Sequence, residues 1–190
     1  MQWMILWKLK KLWNIKKIKF MKIVYQGSPG AYSHLAAKKI YTGCETIPCK
    51  TFEECFKICS ENEKFRTIIP VENSIAGRVA DIQYLINKYK LQIYAEHFES
   101  ITHNLMILPS TNIKDVKAVR SHSQAISQCQ KVINLKKLEP IIAADTAGSA
   151  KYISENKIHN EAAIASELAA EIYKLKIIEK NIEDTKGNVT

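Results

Sequence analysis

Residues 21–41, MKIVYQGSPGAYSHLAAKKIY, decide how the rest of the chain is read. In KIVYQ (22–26) the apolar residues run without alternation, as in a strand buried on both faces. Gly27-Ser28-Pro29-Gly30 is a turn by composition, and Tyr32 to Tyr41 reads as a helix. Strand, tight turn and helix together open a βαβ unit. The alternation continues outward. Helices are predicted over 52–60 and 77–89, the latter with Val79, Ile82, Leu85 and Ile86 on one side, and strands over 67–71, 91–98 and 103–108. A second set follows, with strands over 116–120, 140–144, 162–165 and 176–182 and helices over 123–134, 146–156 and 166–173. The predicted class is α/β, with parallel strands and crossover helices.

Small polar residues recur where strands hand over to helices. IIPV is followed by Glu72-Asn73-Ser74, VKAVR by Ser121-His122-Ser123, PIIAA by Asp145-Thr146, and AAIA by Ser166. In a parallel sheet all these junctions lie at the carboxyl ends of the strands, where helix N-termini present free N–H groups. Taken singly, each residue is a helix cap. Taken together with the Gly27–Gly30 turn, they describe one cleft suited to a small anion with more than one carboxylate.

Other chemistries find no support. The turn is neither G-x-G-x-x-G nor a P-loop, and no G-x-S-x-G is present. The five cysteines (44, 49, 55, 59 and 129) contain no C-x-x-C and read as buried or free thiols, and the five histidines show no H-x-x-x-H pairing, so no metal is expected. The 190 residues carry 28 Lys and Arg against 19 Asp and Glu, a net +9. Six of those lysines lie in the first twenty residues, MQWMILWKLKKLWNIKKIKF, leaving 22 bases against 19 acids, or +3, for the body. A body so nearly balanced, with no aromatics interleaved in a basic face, does not suit nucleic acid.

The first twenty residues place their apolar run before the lysines and offer no cleavage site, so they are not a signal peptide. They are too interrupted to span a bilayer, and as a surface helix Lys16 falls among Ile5, Leu9 and Leu12. The segment is read as a dispensable leader before a start at Met21, with no stable membrane association.

Seven stretches, GSPGAYSHLAA (27–37), IPVENSIAGRVADI (69–82), HNLMIL (103–108), SHSQAISQC (121–129), AADTAGSA (143–150), AAIASELAAEIYKL (162–175) and IEDTKGNVT (182–190), together resemble the catalytic domain of the prephenate dehydratase family, in the family's order. One mild departure is Ser123, where the family carries Pro or a bulkier residue. The resemblance implies a two-lobed fold of the type II periplasmic-binding-protein kind. Lobe one would be about 21–99 plus the returning tail 176–190, and lobe two about 100–175, with the active site between them. It also implies conversion of prephenate to phenylpyruvate, with loss of CO2 and the ring hydroxyl, on the way to phenylalanine. Neither metal nor cofactor is implied, because aromatisation drives the reaction. A cytoplasmic homo-oligomer is expected.

Carried over position by position, Thr190 matches the threonine of the family's Thr-Arg-Phe motif, the donor to the leaving hydroxyl. Asn73, Ser121 and Gln128 join it as catalytic candidates, while Ser74, Thr146 and Gln124 are expected to bind carboxylates or orient the ring. Glu72 is expected to order its loop, and Arg78 either adds positive potential near the cleft or lies on a solvated surface. The sequence ends at Thr190, before Arg-Phe and before the ACT-type regulatory domain that usually follows. The expectation is a fragment of low activity, recovered by restoring Arg-Phe and a few further residues. Arogenate as substrate, and a non-catalytic small-acid receptor on the same fold, are the alternatives.

Overall fold

The computed structural model describes residues 21–190, and the expected leader lies outside the described residues. Strand β1 (Lys22–Gln26) is the middle of a three-stranded sheet, between β2 (Glu45–Cys49) and β3 (Phe65–Ile68), and is parallel to both. This central position explains the unbroken apolar run, since Ile23, Val24 and Tyr25 are all buried. Helices α1 (Tyr32–Ile40) and α2 (Phe52–Ser60) make the crossovers. The start of α2 is specified locally: Thr51 Oγ1 accepts from Glu54 N at 3.1 Å and Glu54 Oε2 accepts from Lys50 N at 2.8 Å.

Three local expectations fail here, each for a physical reason. Strand β2 was not expected, because ETIPC has an exposed Glu45 and a proline. Pro48 is tolerated because β2 is an edge strand. The helix expected over 77–89 is only α3 (Ile82–Tyr89). Gly77 and Asp81 have φ of +82° and +67°, outside helical geometry, and the preceding residues instead form a hairpin of β4 (Glu72–Asn73) and β5 (Gly77–Arg78). Residues 91–98 form no strand and pair with nothing in either sheet.

The second sheet has the order β10-β6-β9-β7-β8, with β6 (Asn104–Ile107), β7 (Ala118–His122), β8 (Glu139–Ala143), β9 (Glu161–Ala165) and β10 (Lys176–Glu179). β7 lies parallel between β8 and β9, while β6 is antiparallel to β9 and β10. Four helices pack on it: α4 (Ser123–Ser127), α5 (Gln130–Leu135), α6 (Thr146–Glu155) and α7 (Glu167–Ile172). The helix expected over 123–134 is broken between α4 and α5 at Gln128 and Cys129, the latter at φ −125° and ψ 26°. Alternate residues serve opposite faces. Leu105, Ile107 and Ile164 join one core, and Met106, Ala163 and Ala165 the other.

The protein is therefore a two-lobed α/β structure, and each lobe contains a parallel trio whose first strand lies between the second and the third. The tail departs from expectation. Segment 176–179 belongs to the second sheet, held there by Leu175 and Ile177 in its core, and ends because Asn181 has φ +54°. Only 188–190 return to the first lobe, through a bridge between Ser100 and Val189.

The lobes meet at the Gly27–Gly30 turn. Gly30 donates its N–H to His34 Nδ1 at 3.0 Å, so His34 Nε2 carries the proton and faces Thr46 Oγ1 at 3.1 Å. The Gly30 carbonyl accepts from Ser166 Oγ at the start of α7, and Ser28 Oγ donates to Asp145 Oδ2 at 3.3 Å. At φ +94° Gly30 also lies so near α7 that a Cβ would come 2.7 Å from Ala169 Cα.

Gly30 and Gly43 separate strain from packing, since Gly43 has φ +84° with nothing within 4 Å of a built Cβ. Gly43→Ala is expected to lower unfolding free energy by about 1 kcal/mol and Gly30→Ala by about 3 kcal/mol, measured by urea titration. Equal losses would show that the interlobe contact contributes nothing.

Candidate active site

Between the lobes a concave space of about 1630 Å³ opens at the carboxyl ends of the strands. Around its mouth lie Gly27 and Tyr32 after β1, Asn73 in the hairpin, Gln124 and Gln128 after β7, Thr146 after β8, and Thr190.

The arrangement is set by Asn73. Its Oδ1 accepts from the backbone N–H of Ile75 at 3.0 Å and of Ala76 at 2.8 Å, leaving no choice about which way the amide faces. Its Nδ2 then donates to Asn188 Oδ1 at 2.6 Å, Thr190 Oγ1 at 2.8 Å and the Val189 carbonyl at 3.3 Å. With its oxygen occupied by Asn73, Asn188 turns its Nδ2 to Gln128 Oε1 at 3.0 Å. His103 Nε2 lies 3.0 Å from the same oxygen. An amide oxygen can only accept, so His103 must carry its proton on Nε2, and its Nδ1 faces the Tyr32 hydroxyl at 2.8 Å. That hydroxyl also lies 2.7 Å from the Thr102 carbonyl.

The array is uncharged. Burial lowers the His103 pKa, keeping the imidazole neutral, and pushes the Tyr32 phenol well above its ordinary range. Two consequences face the cleft. Thr190 Oγ1 accepts from Asn73, which leaves the threonine's own O–H proton for another acceptor. Gln128 Oε1 is doubly occupied, which leaves its NH2 group for the open side.

Thr190 is also held through its backbone. Its N–H donates to the Glu99 carbonyl at 2.9 Å and its carbonyl accepts from Glu99 N at 2.8 Å. Glu99 is itself buried, with its carboxylate paired to Lys39 and, at 3.0 Å, to His97. Ser74 completes the anchorage: its N–H donates to the Val189 carbonyl at 2.9 Å and its Oγ accepts from Val189 N at 3.0 Å.

The structure brings together Asn73, Gln128, Gln124, Thr146 and Thr190, with Glu72 and Arg78 opposite one another on the exposed hairpin at the same cleft. It does not bring Ser121 to them. Ser121 is fully buried and its Oγ donates to the Ile164 carbonyl at 2.7 Å, because the residue still belongs to β7 and points into the sheet. The hydroxyl of Ser74 holds the tail and does not line the cleft. Asp145 and Ser166 cap α6 and α7 and also join the lobes, so the polar side chains at these two strand-to-helix junctions are taken up within the protein. Tyr32, His103 and Asn188 escaped the sequence reading, although each lies within a quoted motif. They stand away from strand-to-helix junctions, and no periodicity marks a residue that supports another side chain.

Residues 23–190 match the family described as prephenate dehydratase. A bifunctional N-acyl-homoserine lactone acylase/prephenate dehydratase of Komagataeibacter europaeus is 36% identical over 168 residues, 88% of this chain and 60% of that protein. An arogenate dehydratase/prephenate dehydratase of Arabidopsis thaliana is 38% identical over 170 residues, 90% of this chain and 45% of that protein. The chain thus spans about half the length of such relatives. A prephenate dehydratase of Arthrobacter aurescens, solved with L-Phe, shares the fold at a TM-score of 0.81 and 23% identity, over 89% of this chain and 58% of that one. With the family's pattern matched across nearly all of the described residues, this chain belongs to the prephenate dehydratase family.

Proposed function

We propose that this chain forms the catalytic cleft for decarboxylating dehydration of prephenate to phenylpyruvate. The observation that carries the reading is the Thr190 hydroxyl at the cleft, whose oxygen accepts from Asn73 and whose own proton is thereby left to bond a substrate there. In this reaction the electron pair of the C–CO2⁻ bond becomes a ring π bond as CO2 departs, and the pair of the C–OH bond leaves with the hydroxyl. The leaving oxygen takes up one proton and becomes water. Threonine is too weak an acid to lose its proton outright, so its contribution is a hydrogen bond that strengthens as charge builds on that oxygen, while solvent supplies the net proton. The NH2 of Gln128, with Thr146 and Gln124 on the second lobe, supplies donors for the substrate's carboxylates. Positioning does the remainder, holding one substrate between two lobes with its leaving groups aligned.

One observation favours arogenate as a second substrate. The Glu72 carboxylate lines the cleft and suits the ammonium that arogenate has in place of a keto oxygen. The plant relative carries both activities in its name. The five cysteines remain thiols, which supports a reducing compartment and the cytoplasm.

The reading is tested by incubating the chain, extended by the Arg-Phe of the family motif, with prephenate and following the absorbance of phenylpyruvate. Product is expected, and binding without product would instead support a receptor. In that chain Thr190→Val is expected to lower kcat about 100-fold with little change in KM; an unchanged kcat would remove Thr190 from the chemistry.

A pH prediction follows from His103. Its folded-state pKa lies below the ordinary histidine value, so the unfolded chain binds the proton more readily. Stability from this site is complete above about pH 6.5 and is lost as pH falls toward the lowered value. His34, similarly lowered by burial, contributes the same sign. The groups facing His103 are Tyr32, Gln128 and the Glu183 carboxylate, which accepts from the His103 backbone N–H at 2.9 Å. His103→Gln is expected to flatten the acid side of the stability curve by up to one proton in urea titrations between pH 4 and 7. An unchanged slope would show that His103 does not titrate there.

A further inference from the structure

Helix α1 carries two sets of side chains on opposite faces. His34 and Ala37 are buried, and the His34 ring stacks on Tyr25 of β1 with the ring centres 4.8 Å apart. Tyr32, Ala36 and Lys39, spaced i, i+4 and i+7, share the other face. That face meets residues 99–103 at two points. The Tyr32 hydroxyl lies 2.7 Å from the Thr102 carbonyl and 2.8 Å from His103 Nδ1, and two turns further on Lys39 Nζ donates to Glu99 Oε1. The two turns from Tyr32 to Lys39 rise about 10 Å, against about 13 Å for four extended steps from Glu99 to His103. Helix and segment therefore run antiparallel at nearly matched length.

Residues 99–103 in turn hold two donors of the cleft. At one end Glu99 and Thr190 exchange both backbone hydrogen bonds, and Ile101 N donates to the Asn188 carbonyl at 2.9 Å. At the other end His103 Nε2 meets Gln128 Oε1 at 3.0 Å. The Glu99 side chain is only 7% exposed, while Lys39, its partner, is 53% exposed. Taking a carboxylate out of water is costly, and an apolar side chain of similar size would fill the place as well. What an apolar contact cannot do is select one position along the helix. A directional, hydrogen-bonded ion pair can, and fixing register is the best-attested use of a buried charge.

We propose that Lys39 and Glu99 are positioning residues for the reaction: their ion pair fixes the register of residues 99–103 on α1 and so sets where the Thr190 hydroxyl stands in the cleft. The inference rests on the reading of Thr190 as the donor to the leaving hydroxyl. Two devices then share the work. The amide array begun by Asn73 decides which way each donor points, and the ion pair decides how far along the cleft Thr190 is placed. Neither Lys39 nor Glu99 touches the substrate in this account. Both act through the backbone, and α1 is the common ruler, because Tyr32 at its first turn supports His103 behind Gln128.

The test replaces the pair by apolar side chains, Lys39→Met with Glu99→Leu, an exchange that commonly leaves stability unchanged or raises it. Lys39→Met alone is the second variant and alters only the half-exposed end of the pair. In the 190-residue chain both variants are expected to speed hydrogen exchange at the Glu99 and Thr190 amides about tenfold while the β1 amides stay as they were. In the chain extended by Arg-Phe, both are expected to lower kcat for prephenate about tenfold at unchanged KM. Lys39→Arg, which keeps the pair, is expected to retain slow exchange and the parent kcat. Added to Thr190→Val, Lys39→Met is expected to lower kcat no further, since it acts through that hydroxyl. Unchanged exchange at both amides, unchanged kcat, or a loss that multiplies with that of Thr190→Val would each overturn the inference. An unchanged kcat for Thr190→Val by itself is a different failure: it removes the reading of Thr190, and the catalytic role of the pair with it.

Discussion

The side-chain amide of Asn73 can face only one way, and the candidate site depends on that restriction. Two backbone N–H groups hold its oxygen, so its nitrogen must meet Asn188, Val189 and Thr190. The direction then passes from one group to the next, because each amide oxygen can only accept. Asn188 is turned by Asn73, Gln128 is held by Asn188 and His103, and the His103 tautomer is set by Gln128. Reversing any member would bury unmatched donors against one another, at about 1–3 kcal/mol for each group left unsatisfied. A three-residue turn in the first lobe thereby orients donors on the second, and no charged group is needed to do so.

Polar groups at the strand ends divide between two tasks. Thr190, Gln128, Gln124 and Thr146 stay open to the cleft. Asp145, Ser166 and Ser28 hold the lobes together, with Gly30 allowing the close approach to α7. Both tasks need small residues at the carboxyl ends of strands, which is why the two sets look alike before the chain is folded. Their separation favours a site that is formed in advance, with the joint fixing the spacing of the lobes and the amide array fixing the donors.

The fold was largely legible. β1, α1, α2 and the trio β7, β8 and β9 follow from apolar runs and turn residues that act locally. The exceptions lie where tertiary position overrides local pattern. Pro48 sits in a strand because that strand is an edge, and 77–81 leave the helix because Gly77 and Asp81 adopt left-handed backbone. Segment 91–98 was expected to be a strand, but among the described residues nothing pairs with it, and a strand is defined by its neighbours. The site was legible only in part. Asn73, Gln128, Thr146 and Thr190 were read from motifs, but the same motifs pointed to Ser121, whose hydroxyl is turned into the sheet.

By itself the sequence determined the α/β class, the order of the two sets of units and the residue types available at the cleft, because apolar period, turn residues and helix caps act over a few positions. Only the tertiary structure decided which polar groups face the substrate space and which are taken up within the protein. It also decided that Tyr32, His103 and Asn188 support Gln128 and Thr190 from behind. The physical reason is that a hydrogen bond links groups by distance and direction. Asn73 and Thr190 stand 117 positions apart along the chain, and only folding brings them to 2.8 Å.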